Sequence, residues 1–130
     1  MVPDITLTKV LVVEDNASDV CLLEGMLSGI SGDALYDFAD VPRLVDALSL
    51  LDKQQFDVVL LDLNLLDMDG VSSISALHAQ KPDLPIIVYS GMDDIKLKEK
   101  AFMLGAKHYL VKGRESGYSL NFMIEQTVAH

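Results

Sequence analysis

The chain predicts a doubly wound α/β fold, a five-stranded parallel sheet with helices on both faces. Three observations predict it. Short apolar runs that read as buried strands alternate strictly with stretches carrying apolar residues at helical spacing, five times over in 130 residues. The strongest runs stop abruptly on polar or charged residues, at the edge where open α/β sheets place their chemistry. Half of the residues are apolar, enough for a core without disulfide or metal staples. Such alternation implies right-handed crossovers, and the strand order 2-1-3-4-5 suits five strands.

The elements follow in order. Residues 9–13 form the first strand, which stops at Glu14, Asp15 and Asn16. A helix over 17–30 has Leu22, Leu23, Met26, Leu27 and Ile30 as its stripe and Asn16 or Ser18 as its cap; Val20 and Cys21 lie off that stripe. Residues 35–39 are the least apolar strand, which suits a sheet edge. Asp40 caps a second helix, with Pro42 in its first turn and Leu44, Val45, Leu48 and Leu51 facing inward. The third strand, 56–61, ends on Asp62. A third helix runs from Gly70 to about Lys81 on Val71, Ile74 and Leu77, with Asp69 as its cap. Residues 86–89 are the fourth strand, ending on Ser90 and Gly91. A fourth helix over 93–104 presents Ile95, Leu97, Ala101 and Leu104. The fifth strand, 107–111, ends on Lys112 and Gly113, and Leu120, Met123, Ile124 and Thr127 mark a last helix. The six methionines read as core filling. Residues 1–130 read as one domain, with 1–8 an N-terminal extension.

The net charge of −10 argues against direct nucleic-acid binding, which needs a basic surface. A single cysteine, Cys21, excludes an internal disulfide and fits a reducing compartment. No apolar stretch is long enough to span a bilayer, and the N-terminus lacks the pattern of a signal peptide. The expectation is a cytoplasmic protein with no membrane partner.

In the 2-1-3-4-5 order the first and third strands are neighbours, and the chain reverses direction between them. That switch point is where such folds bind ligands. It collects Glu14 and Asp15 from one strand end and Asp62 from the other. Three carboxylates so close cannot all stay ionised cheaply, and a divalent cation relieves them. Oxygen-only donors in small number favour magnesium. Ser90 and Lys112 add a hydroxyl and an ammonium from the next strand ends. A metal, a lysine and a hydroxyl around one carboxylate suit a doubly negative phosphoryl group, and the carboxylate itself can be the nucleophile.

With Glu14–Asp15, Asp62, Asp69–Gly70, Ser90–Gly91, Tyr109 and Lys112 in this order at the right strand ends, the chain resembles the receiver domain of two-component response regulators, of the chemotaxis-regulator-like kind. The resemblance covers essentially its whole length. It implies a (βα)5 flavodoxin-like three-layer sandwich. It makes Asp62 the phosphoacceptor, with Mg2+ (or Mn2+) held by Asp15, by Asp62, by Glu14 mostly through water and by the backbone carbonyl of Asn64. Lys112 would touch the phosphoryl oxygens, Ser90 would shift to bond them, and Tyr109 would turn inward behind it. The phosphoryl group would come from a sensor histidine kinase or a histidine phosphotransfer protein. Val20 and Cys21 would be either ordinary helix-edge groups or part of the patch that meets that donor. Lys96, Lys98 and Lys100 read most simply as a solvated face; the sharper reading docks an output domain or a second receiver on the face of the fourth helix, fifth strand and fifth helix. The domain would be a signalling switch rather than an enzyme, and the chain could be a piece cut from a longer regulator.

Two positions depart from the family pattern. Leu66 stands where receivers usually carry proline, and Gly113 replaces the proline after the lysine, so the Lys112–Gly113 bond is either trans or a strained cis. Asp67 and Asp69 read as turn and cap residues rather than ligands. The histidines have no metal-ligand spacing. Two other functions compete. Haloacid dehalogenase-type phosphatases also use a strand-end aspartate, but place a second aspartate two residues on, where this chain has Asn64. A receiver-like module that works without phosphorylation would not need the full set of site residues.

Overall fold

The structure, a computed structural model, describes residues 7–31, 36–65 and 68–128. The elements are β1 (Thr8–Val13), α1 (Ala17–Ser31), β2 (Tyr36–Val41), α2 (Leu44–Leu51), β3 (Val58–Leu61), β4 (Asn64–Leu65), β5 (Met68–Asp69), α3 (Ser72–Gln80), β6 (Ile86–Ser90), α4 (Ile95–Met103), β7 (His108–Val111) and α5 (Gly117–Thr127). β4 and β5 form a two-stranded antiparallel ribbon just after Asp62. The other strands form one parallel sheet in the order β2-β1-β3-β6-β7, which is the expected 2-1-3-4-5 once that ribbon is set aside.

The apolar runs are continuous because both faces of the sheet are covered. Alternate residues go to opposite layers. Leu11, Val13, Val59, Leu61, Ile86 and Val88 pack against Leu44, Ala47, Leu51, Ile74, Leu77 and Ala101 of α2, α3 and α4. Val10, Val12, Val58, Leu60 and Ile87 pack against Val20, Leu23 and Leu27 of α1 and Leu120 and Ile124 of α5. Each fully buried Leu or Ile contributes about 1.5–3 kcal/mol. The result is three layers, with every strand of the central sheet ending at the same edge.

Several boundaries and faces differ from the sequence expectation. In α1 the inward stripe is Val20, Leu23 and Leu27, whereas Leu22 is 63% exposed and Cys21 is exposed. Apolar residues lie on several sides of this helix, so spacing alone does not choose the buried side. Its cap is Asn16, whose Oδ1 accepts from the Asp19 N–H at 3.1 Å. Asp40 is not a helix cap: β2 continues through it to Val41, and Arg43 occupies the cap position of α2. The pairing of Val12 with Asp40 and Val13 with Val41 carries the strand past the predicted end. Val45, predicted inward, is exposed.

Asp69 is not the cap of α3 either. It pairs with Asn64 in the ribbon, Val71 takes the cap position, and the Ser73 hydroxyl donates to the Gly70 carbonyl at 2.7 Å. α4 starts later than predicted because Asp94 caps it, accepting from the Lys96 and Leu97 N–H groups, and Ile95 then faces solvent. Ser116 caps α5. Met92 and Met103 are exposed and so are not core filling, whereas the half-buried Met123 packs against the core on the side of α1 and α5. Leu66 and Asp67, like Leu35 at the start of the predicted second strand, lie outside the described residues.

Candidate functional site

The sheet ladder sets the positions of the site residues one by one. The Glu14 N–H donates to the Val41 carbonyl at 3.0 Å, the Asp62 N–H to the Val13 carbonyl at 3.0 Å, and the Lys112 N–H to the Ser90 carbonyl at 2.8 Å. Each bond continues the parallel pairing one residue past the formal strand. Three charged side chains on three separate strands are thereby fixed at one edge. β1 and β3 are neighbours here, and the helices that follow them, α1 and α3, pack on opposite faces. This is the topological switch point.

Glu14 and Asp62 are each only 7% exposed, and Ser90 is fully buried. One carboxylate oxygen from each of Glu14, Asp15 and Asp62 lies within 4.8 Å of the others. Among the described residues this is the one group of acids, histidines or cysteines close enough to hold a metal ion together. An all-oxygen set of this size fits magnesium or manganese better than a soft metal. The ribbon starts directly beside the site: the Asn64 N–H, at its first residue, donates to Asp62 Oδ1 at 3.2 Å.

Lys112 supplies the counter-charge. Its ammonium bonds the Glu14 carboxylate, lies 3.5 Å from Asp62 Oδ2, and donates to Asp19 Oδ2 at 3.0 Å. Burial works against its charge, but the bonds to Glu14 and Asp19 outweigh it and hold its pKa above the ordinary lysine range. The chain turns immediately afterwards on Gly113, whose φ of +85° only glycine adopts easily. No described peptide bond is cis, so the Lys112–Gly113 bond is trans.

Ser90 and Tyr109 share one partner. The Met92 N–H donates to Ser90 Oγ at 3.3 Å, and the buried Tyr109 hydroxyl donates to the Met92 carbonyl at 2.6 Å. Tyr109 therefore lies inward beneath the β6–α4 loop. Asp93 ties that loop to its surroundings, pairing with Lys98 at 2.6 Å and with Arg114. Lys98 also lies 5.8 Å from the centre of the Tyr109 ring. Lys96 and Lys100 are exposed, as a solvated face requires.

Five predicted side chains thus meet at one edge: Glu14, Asp15, Asp62, Lys112 and, behind them, Ser90. Asp19 and Asp93 are the participants that sequence reasoning missed. Asp19 carries only a faint signal, an acid in the first turn of a helix, which the helix dipole explains equally well.

The acids leave a titration signature. Burial raises Glu14 from its ordinary 4.5 to about 7; Lys112 pulls it down and Asp62 pushes it up. A carboxyl whose folded value is raised favours the fold when protonated. That contribution is complete below about pH 4.5 and is lost as the pH rises through about 7. Glu14→Gln keeps the shape and removes the charge. Without metal it stabilises the protein at about pH 8 by about 1 kcal/mol after allowance for solvent screening, and by nothing below the ordinary carboxyl range. Thermal melts in chelator across that range check this, and a variant less stable than wild type at the alkaline end contradicts it.

A family model described as the response regulator receiver domain matches residues 10–117. The chain belongs to that family. This receiver domain is 29% identical over 121 residues to the transcriptional regulatory protein ZraR of Salmonella typhimurium, covering 93% of this chain and 26% of that one. It is 35% identical over 104 residues to the cell cycle transcriptional regulator CtrA of Caulobacter vibrioides, covering 80% and 43%. The chain therefore spans about a quarter of the length of the first of these relatives and under half of the second. Among solved structures, the signal receiver domain of an HD domain-containing protein from Pseudomonas fluorescens is similar with a TM-score of 0.82, 26% identity and 94% of each chain covered. The Vibrio cholerae chemotaxis protein CheY4 shares the fold, with a TM-score of 0.80 at 23% identity over 95% of this chain and 100% of that one. No helix among the described residues is long and apolar enough to cross a membrane.

Proposed function

We propose that this receiver domain is a phosphoryl-accepting switch, with Asp62 the residue that is phosphorylated. One observation carries the reading: the buried Asp62 carboxylate lies between two further acids able to share a metal and the Lys112 ammonium. An Asp62 oxygen attacks phosphorus in line, the phosphorus–nitrogen bond to a partner's phosphohistidine breaks, and the imidazole leaves with the electron pair. Asp15 and Asp62, with Glu14 and the Asn64 carbonyl, would hold magnesium, which offsets charge on the phosphoryl oxygens. Lys112 offsets the remainder from the other side. Ser90 exchanges its bond from the Met92 N–H for one to the phosphoryl group, and Tyr109 remains inward behind it. Water later hydrolyses the acyl phosphate.

The donor is a sensor histidine kinase or a histidine phosphotransfer protein. The output runs through the face of α4, β7 and α5, where Ile95, Phe102, Met103, Tyr118 and Phe122 of the two helices are exposed, to an output domain or a second receiver. The domain works in the cytoplasm as a switch, not as a turnover enzyme, and residues 1–130 act as one unit.

Incubation with acetyl phosphate tests the reading. Intact-mass spectrometry is expected to show one added phosphoryl group with magnesium present and none after chelation. Labelling that is indifferent to the chelator, or steady turnover of phosphate monoesters, contradicts it.

A further inference from the structure

Lys112 holds one more carboxylate than phosphoryl chemistry asks for. Its ammonium has three protons and three acidic neighbours: Glu14, Asp62 and Asp19. Glu14 and Asp62 belong to the three-acid cluster, but Asp19 does not. Asp19 comes from the first turn of α1, 93 residues from Lys112 in the chain, and its Oδ2 accepts from Nζ at 3.0 Å, nearer than Asp62 at 3.5 Å. Its own N–H is anchored on Asn16 Oδ1.

We propose that Asp19 is a positioning residue that lets the lysine and a divalent cation occupy the site together. The inference rests on the phosphoryl-acceptor reading above. An ammonium and a divalent cation repel, and here both draw on Glu14 and Asp62. When those two acids turn to the cation, Asp19 is the partner of Lys112, among the described residues, that the cation does not claim. It retains the ammonium at the rim of the site, beside Asp62 and out of the cation's place. Without Asp19 the ammonium falls back on Glu14 and Asp62 and competes with the metal. An acid that merely favoured the N-terminus of α1 would have no such dependence on a lysine at the end of β7.

The test is magnesium binding to the unphosphorylated full chain, measured by calorimetry on four proteins: wild type, Asp19→Asn, Lys112→Ala and the double variant. Asp19→Asn is expected to weaken magnesium binding on the order of ten-fold, the usual effect of losing a partner that orients a metal site from outside it. In the Lys112→Ala background the same change is expected to matter by less than about two-fold, because Asp19 acts through the lysine. Asp19→Glu, which keeps the charge on a longer arm, restores part of the loss. Two results overturn the inference: wild-type affinity in Asp19→Asn, or an equal loss with and without Lys112, which is a plain charge effect. Either leaves the phosphoryl-acceptor reading intact if the wild type still binds magnesium and is labelled by acetyl phosphate. A wild type that does neither removes both.

Discussion

Asp62→Asn is expected to abolish magnesium-dependent labelling by acetyl phosphate, leaving a rate at least about 1000-fold below wild type. The reason is chemical rather than structural. An amide oxygen is a poor nucleophile and cannot form the acyl phosphate, whereas the place of residue 62 is set by its backbone N–H on the Val13 carbonyl, which the substitution leaves alone. Asparagine also removes one charge from a buried cluster that holds Glu14 and Asp15 as neighbours. The variant should therefore melt no lower than wild type in metal-free buffer. Loss of labelling in a protein of undiminished stability identifies a lost reaction. A variant that labels as well as wild type removes Asp62 from the reaction.

Lys112→Ala is the second large effect. In the proposed transfer Lys112 is the fixed cation on the side of the phosphoryl group away from the metal. Its loss is expected to slow labelling by on the order of 100- to 1000-fold, the range for removing one preorganised donor at developing charge. Here stability falls too, unlike in Asp62→Asn. Glu14 is 7% exposed and would lose its cationic partner, at about 2 kcal/mol, as for a buried polar group left unpaired. Magnesium should recover part of that stability by supplying the missing positive charge. Labelling kinetics at saturating magnesium, with melts with and without the metal, measure both effects. A variant that labels at the wild-type rate shows that Lys112 only balances charge in the resting protein.

Much of this site is legible from sequence because of how a parallel sheet is built. Glu14, Asp62, Ser90 and Lys112 each end an apolar run, and strand order alone then makes them neighbours. Asp15 follows from its place beside Glu14. Asp19 is different. It sits on a helix, and its role depends on the direction taken by a long lysine side chain from another element, which neither periodicity nor strand order supplies. Asp93 is hidden for the same reason, since both of its partners are flexible cations on other segments.

The fold divides in the same way. The inner strands of the central sheet read cleanly because residues 10–13, 58–61 and 86–89 are apolar without a break and buried on both faces, whereas β2, with Asp37 and Asp40, is only partly covered. The rotation of α1 does not: Val20, Leu22, Leu23 and Leu27 offer the core more than one apolar side, and packing against β1, β3 and α5 selects Val20 over Leu22. Helix starts slip by a few residues where two possible caps stand side by side, as with Asp93 and Asp94, or where a strand runs on through the expected cap, as β2 does through Asp40.

The most direct measurement is the location of the phosphoryl group. The protein is phosphorylated with acetyl phosphate and magnesium, the acyl phosphate is trapped by borohydride reduction, and the modified residue is read by peptide sequencing in a mass spectrometer. The account predicts reduction at residue 62 and nowhere else. A trapped group at Asp15 or at another carboxylate, or a phosphate that resists borohydride because it sits on a hydroxyl or an imidazole, would contradict it.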